Sequence, residues 1–417
     1  MSRLRQFAAY TRKVFHLHRL AARITDTRPN PIIPTQRVWW DLWFGAICKV
    51  PSFFQLQSET QRPPWRHTLG DPRPISHDTL GYVTARMALE PLRAALVTTN
   101  KLLKRNKAFQ RNQINGLLAL NVDANEQFKS RSRCCPQCRQ RQVKVKNAAG
   151  QEEEVTEYYH VQVYAQLSGP HWNTVLDVEP LRPGEEERAA ALRLLGRLRR
   201  HYGVRFFQVV VVDAWYAKGP FLKAVTALGW AVVVVLKQAD YTVYQEALAL
   251  TQGPPTEEFE QDGRRVRLWE ARDLTFSSTY GRPVRVVRSQ EDWTEVKIVG
   301  GRKKLIPKQS HWLWVATEEL DSQGPRPIWN LGHGRWRIEN HAFNVLTQHW
   351  HLRHCAHHDP VSIMACLLIT LLAFNLFHAF VFLNGKLYQQ GKITMQELRL
   401  QLYRAIEQGL PLPWFSG

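Results

Sequence analysis

The sequence is short of negative charge. It has 36 acidic residues against 56 lysines and arginines, a formal net charge of +20 over 417 residues and a pI of about 9.9. Such an excess of cations excludes a partner of the same sign and points to a polyanion, with nucleic acid the principal reading and an anionic membrane surface the alternative. No acid occurs before Asp26, and the opening run "MSRLRQFAAYTRKVFHLHRLAARI" has no secretory pattern. It reads as a helix that contacts nucleic acid, with an organelle transit peptide as the alternative. Cysteine is scarce too. Three of the six (Cys134, Cys135, Cys138) cluster and three (Cys48, Cys355, Cys366) are scattered, which excludes a disulfide framework and suits a reducing cytosol. One long apolar run, Val361 to Leu383, has the length of a membrane span. With Asn375 and His378 inside it and no second such run, it reads as a buried core helix, and no membrane partner is expected.

What is present divides the chain. Residues 1–115 read as a helical, DNA-binding N-terminal region, punctuated by prolines at Pro29–Pro34 and from Pro63 to Pro74. Ser76 and Asp78 offer N-caps for a helix that runs to a basic end with Lys101, Lys104, Arg105, Lys107 and Arg111, a solvated face or a set of phosphate contacts. From Gly116 the pattern is strand ("GLLALNVDA"), a polar charged excursion, two strands (Tyr158–Ser168, Thr174–Leu181), then a helix with acids Glu185–Glu187 first and Arg197–Arg200 last. A valine-rich strand, a helix and a second valine-rich strand (Trp230–Lys237) follow. Poor alternation in the last two predicts burial on both faces of a parallel sheet, and the three closely spaced strands before them predict an antiparallel meander. Residues 241–320 read as a β-rich insertion and residues 321–395 as a helical second part, with 396–417 a C-terminal tail.

Three carboxylates stand out. Asp123 and Asp213 each end a strand, where side chains of an open α/β sheet face the ligand crevice. Adjacent strand-end aspartates can share a hard divalent cation, or each can simply cap the next turn. The third is Glu339 in "GRWRIENHAFNVLTQHW". At about 100° per residue, Glu339 falls within the apolar arc of Trp336, Phe343, Leu346 and Trp350. A carboxylate there needs a metal or a partner, and Arg335 one turn earlier is the candidate partner.

These residues carry a resemblance. "GRWRIENHAFNVL" resembles the Arg-Trp-x-Ile-Glu signature of insertion-sequence DDE transposases, "VVVVDAWYAKGPF" their second-aspartate block, and "NVDANEQFKS" with "CCPQC" and "YYHVQV" the first-aspartate block of one branch. It spans roughly Gly116 to Leu383. It implies an RNase H-like core, a mixed five-stranded α/β sheet flanked by helices, split by the β-rich insertion (116–240 and 321–395). It also implies a catalytic triad of Asp123, Asp213 and Glu339 holding two Mg²⁺ ions, with Mn²⁺ able to substitute. The expected partners are double-stranded DNA, as inverted-repeat ends and target, and a second copy of the chain when DNA is bound. The expected setting is a prokaryotic, nucleoid-associated cytoplasm. Family members add a tyrosine, an arginine and a lysine around the glutamate. Arg335 matches the arginine, but the tyrosine falls on Gly332 or His333 and the lysine on Thr347 or Leu346. A transposase-derived DNA-binding protein without catalysis, or a metal-dependent nuclease without strand transfer, are therefore the alternative readings.

The remaining expectations concern contacts and a second metal. Arg335, Arg337, Arg302, Lys303, Lys304, Lys308, Lys104 and Arg105 are candidate DNA contacts, chiefly to phosphates. Trp293, Trp312 and Trp314 are candidates for stacking on a base, or for the core. Cys135 and Cys138 form a C-x-x-C, with Cys134 adjacent and His160 further on. Structural Zn²⁺ is one reading and a hairpin of reduced thiols the other.

Overall fold

In a computed structural model, residues 3–70, 73–147, 150–169, 172–299 and 302–409 are described. The strands are β1 (Ala119–Ser130), β2 (Arg139–Lys146), β3 (Glu152–Ser168), β4 (Thr174–Pro180), β5 (Val209–Val212), β6 (Ala231–Val235), β7 (Glu257–Gln261), β8 (Arg264–Thr275), β9 (Pro283–Val299) and β10 (Arg302–Thr317). They form one ten-stranded sheet. One half has the order β4-β3-β1-β5-β6, with β1, β5 and β6 parallel, β3 antiparallel to β1 and β4 antiparallel to β3. This is the mixed five-stranded arrangement expected of an RNase H-like core.

The valine runs have a geometric cause. Val210, Val212, Val232 and Val234 face one core, and Val209, Val211, Val233 and Val235 face a second on the other side of the sheet. A strand covered on both faces has no polar face to alternate with.

The helices before the sheet are α1 (Arg3–Phe15), α2 (Leu17–Ala21), α3 (Thr35–Cys48), α4 (Phe53–Gln61), α5 (Pro63–Leu69), α6 (His77–Thr84) and α7 (Leu89–Arg105). Ser76 caps α6 as expected, its side chain accepting from Thr79 N. The single helix expected onward from there breaks at Ala85–Ala88. Pro91 has no N–H to donate, so it is accommodated in the first turn of a new helix, α7. Within and beyond the sheet come α8 (Glu187–Tyr202), α9 (Gly219–Ala227), α10 (Thr242–Leu250), α11 (Pro325–Gly334), α12 (Asn344–Trp350), α13 (Pro360–Asn384), α14 (Lys386–Gln389) and α15 (Met395–Glu407).

The apolar run is α13, the one described helix long and apolar enough to cross a membrane, and most of it is buried inside the protein. It packs against α3, α7 and β4. Asn375, inside it, donates to the Val175 carbonyl (2.7 Å) and accepts from Val175 N (3.0 Å). Those bonds satisfy backbone groups on the buried edge of β4 that no further strand pairs with.

Three features differ from the expected segmentation. The polar excursion is a ladder: β1 runs on past Asp123 to Ser130, and β2 pairs with the first half of β3. Alternation in "RQVKVK" is what a solvent-facing strand requires. The insertion is not set apart from the core, because β10 pairs antiparallel with β6 and continues the sheet through β9, β8 and β7. The segment read as a tail begins with α15, which Thr394 caps and whose Leu398, Leu402, Ala405 and Ile406 stripe is buried. Residues 410–417 of that tail lie outside the described residues.

Candidate active site

Register brings the two aspartates together. In the parallel pair β1–β5, Asn121 stands opposite Val211. Asp123 and Asp213 are each two residues further on, so they sit at the same level on neighbouring strands, spaced about 4.8 Å apart. Each uses one oxygen locally. Asp123 Oδ1 accepts from Ala124 N and Asp213 Oδ1 from Trp215 N, both at 2.9 Å. The expected capping role holds for Asp213, which caps the turn Ala214–Tyr216, whereas Asp123 lies inside β1, contrary to the strand end expected, and in both the second oxygen is not used by these bonds.

Glu339 reaches the same place by a different route. Residues Ile338–Phe343 form a π-helical turn between α11 and α12. The wider turn rotates what precedes it relative to the downstream stripe, so the apolar arc expected at 100° per residue does not hold. Phe343, Leu346 and Trp350 stay buried, whereas Trp336 is exposed and Glu339 is half-exposed. Such π-turns are frequent at functional sites. Here the turn directs Glu339 to Arg335, whose Nη1 donates to Glu339 Oε1 at 2.6 Å and reaches Asp123 Oδ2 at 3.4 Å. One guanidinium nitrogen thus touches both carboxylates.

The electrostatics are those of a site short of cations. Burial, followed by the charges of Asp213, Glu339 and Glu187, pushes the Asp123 carboxyl up to about 7 despite Arg335. Glu187, at the start of α8, is the unanticipated fourth carboxylate. From the sequence it reads only as a helix-dipole acid. Tyr216 donates to its Oε1 at 2.5 Å, and burial with the charge of Asp213 raises its pKa.

Asn121 was also missed, although it lies in the same "NVD" run. Its buried side chain donates to Ser168 Oγ (2.9 Å) and to the Gly334 carbonyl (2.8 Å), fastening β1 to the start of the Glu339 segment. Asn121→Val removes that tether and leaves the Gly334 carbonyl unpaired. The expected result is a stability loss of about 1–3 kcal/mol with a larger proportional loss of cleavage. Urea unfolding and a cleavage assay on the same variant check it, and unchanged cleavage would refute a positioning role.

The departures at the tyrosine and lysine positions have structural counterparts. A Cβ on Gly332 would lie 2.2 Å from Trp314 Nε1, so the indole leaves room for glycine alone. His333 hydrogen-bonds Glu291 (2.5 Å). Leu346 is core and Thr347 is half-buried. Trp314 is buried, Trp312 stacks on it, and Trp293 lies under Arg264.

The candidate DNA contacts separate into groups. Arg302, Lys303 and Lys304 are exposed at the end of the β9–β10 ribbon. At about 3.4 Å per residue, that end lies roughly 40 Å along the strand from Trp314. Lys308 is half-buried, 3.9 Å from Glu295 Oε2, and Arg105 is exposed. Lys104 turns inward, donating to the Phe206 carbonyl at 2.9 Å, because α7 packs against the entry to β5. Arg337 is half-buried, and burial lowers its pKa. Away from the carboxylates, Cys135 and Cys138 converge with His160 and His358, a set that could hold a metal ion. Cys134 is exposed.

No curated protein matches the chain. Among solved structures, a piggyBac transposase synaptic complex with hairpin DNA, determined by cryo-EM, aligns over 98% of this chain and 80% of its own, at 10% identity and a TM-score of 0.45. The family described as "Transposase DDE domain" matches residues 163–376, a span that contains Asp213 and Glu339 and begins after Asp123. DDE transposases generally use a divalent metal. With just over half of its length matched, this chain belongs to the DDE transposase family and is a DNA transposase.

Proposed function

We propose that Asp123, Asp213 and Glu339 are the catalytic carboxylates and hold two Mg²⁺ ions, with Mn²⁺ able to substitute. The chain would use them to cut the inverted-repeat ends of a mobile element and join those ends to target DNA. The observation that carries this reading is the shared level of Asp123 and Asp213 on adjacent parallel strands, with Glu339 held to Asp123 through one arginine. The donor set fits the metal. Four carboxylates lie close enough to repel one another, with Arg335 between Asp123 and Glu339, and carboxylate oxygens are the ligands a hard divalent cation takes. When bound, two such ions activate the attacking oxygen and stabilise the leaving one in an in-line displacement.

The chain's own residues supply the geometry. Asp123 and Asp213 present their second oxygens from the sheet, Asn121 holds the Glu339 segment against β1, and Arg335 orients Glu339. The exposed basic ribbon would track phosphates without reading sequence. Synapsis of two ends calls for a homodimer on DNA, and the setting would be a nucleoid-associated, prokaryotic cytoplasm.

The test is a duplex carrying an element end, incubated with the full chain and target plasmid in Mg²⁺. Cleaved ends joined to the plasmid, abolished by EDTA, are the expected products. Nicks without joined products would replace this reading with a nuclease. A gel shift without nicking in either Mg²⁺ or Mn²⁺ would replace it with a DNA-binding protein.

A further inference from the structure

Outside the carboxylate site, two buried thiols and two imidazoles meet in one place. Cys135 lies in the loop after β1, Cys138 directly precedes β2, His160 is on β3, and His358 lies between α12 and α13. Their ligand atoms all lie within 4.8 Å of one another. His160 Nε2 is 3.3 Å from Cys135 Sγ and 3.2 Å from Cys138 Sγ, His358 Nε2 is 3.2 Å from Cys138 Sγ, and the two sulfurs are 3.6 Å apart. A tetrahedral Zn²⁺ with Zn–S of about 2.3 Å and Zn–N of about 2.0–2.1 Å requires S···S near 3.8 Å and S···N near 3.6 Å. These four separations fall a few tenths of an ångström inside those edges, and the two remaining pairs lie within 4.8 Å.

The surroundings are built to match. Cys135 N donates to Cys138 Sγ (3.2 Å) and Cys138 N to the Cys135 carbonyl (3.0 Å), closing a tight turn that turns both sulfurs inward. Phe128 packs against both imidazoles. Asp359, next to His358, caps α13 by accepting from Val361 N and Ser362 N (2.9 Å each), which fixes the histidine's backbone. Among the described residues the hydrogen-bond partners of the buried His160 Nε2 are the two sulfurs, and thiols make weak hydrogen bonds. Two soft thiolates and two imidazoles in tetrahedral spacing select zinc over the hard ions suited to the carboxylate site.

We propose that Cys135, Cys138, His160 and His358 bind one Zn²⁺, and that this ion clamps the Asp123 strand to the chain returning from Glu339. β1 carries Asp123 and leads to the cysteines, β3 pairs with it, and His358 follows α12. The zinc closes a loop between elements that bear two of the three carboxylates, at the end opposite the Asn121 tether. It neither touches the carboxylates nor takes part in chemistry, and it stands whether or not the chain joins DNA.

Metal analysis of the full chain purified under reducing conditions should find one zinc per chain. Cys138→Ser and His358→Ala should each lose it, and Cys134→Ser should keep it. Co²⁺ exchanged into the wild-type protein should give a thiolate charge-transfer band and the intense visible bands of tetrahedral coordination. Chelation should raise amide exchange at least tenfold in residues 351–359. A folded wild-type chain with no zinc and no tetrahedral cobalt spectrum overturns the site, as does a Cys135–Cys138 disulfide in the reduced preparation. Full zinc content in His358→Ala, or exchange in 351–359 unmoved by chelation, overturns the clamp. The cobalt experiment needs no variant to fold.

Discussion

Asp213→Asn should lower strand cleavage by about a thousandfold or more while leaving DNA binding intact. Asn is nearly the same size as Asp, and its side-chain oxygen still accepts from Trp215 N, as Asp213 does at 2.9 Å. Asn also caps turns about as well as Asp, so the strand end and the turn Ala214–Tyr216 after it survive. What disappears is the charge. A metal that stabilises both the attacking and the leaving oxygen contributes several kcal/mol to the transition state, and each 1.36 kcal/mol is a factor of ten in rate. Cleavage of an element-end duplex, beside a gel shift on the same preparation, reads both quantities. A variant that cuts at the wild-type rate would remove Asp213 from the chemistry and the proposed triad with it.

The largest stability effect is expected at Glu291→Ala, a loss of about 3–5 kcal/mol. Glu291 lies on β9 and is fully buried. It accepts from Trp329 Nε1 (3.0 Å), Arg264 Nη1 (3.0 Å) and Ser289 Oγ (3.1 Å), and His333 Nε2 is 2.5 Å away. Burial alone raises its pKa, but the hydrogen bond and charge of His333, with Trp329 and Arg264, overcome this and hold the carboxyl at about 2. Alanine leaves that set of donors facing an empty space, and the loss is a large part of a typical 5–15 kcal/mol stability. Denaturant unfolding at neutral pH measures it, and a loss below about 1 kcal/mol, the scale of an exposed pair, would show that water reaches the donors. The pH dependence has a fixed sign. A carboxyl depressed in the folded state stabilises above its unfolded pKa of about 4.3 and loses that contribution as pH falls toward 2. Wild-type stability should therefore fall more steeply than that of Glu291→Ala across this interval. The variant also bears on the active site, because His333 and Trp329 belong to α11, which leads directly into Arg335 and Glu339.

Much of this was legible in the sequence because the relevant signals are local. The valine runs announce strands covered on both faces, and Asp213 at the end of one of them announces a crevice. What escaped is what needs distant residues. Nothing near Asn121 announces that it will hold the Gly334 carbonyl, and nothing near Glu187 places it beside Asp213. His358 is one of several histidines between His349 and His358 until folding brings it to Cys138. The π-turn escaped for another reason. A helical wheel assumes one residue spacing throughout, and an added residue in one turn shifts the phase of everything before it. Trp314 likewise gives a reason for Gly332 that no spacing rule contains.

The tether from Asn121 to Gly334 spans 213 residues, and the Cys138–His358 contact spans 220. Translation runs from the amino end at about 5–20 residues per second, so the Asp123 strand waits roughly 10–40 s for the segment that completes its pocket. During that interval the nascent polypeptide holds its aspartates and its cationic surface but no assembled centre. Loop-closure entropy over such separations makes their docking a late folding event. The carboxylates therefore come together only after the segment following Gly334 has been made and has docked on β1.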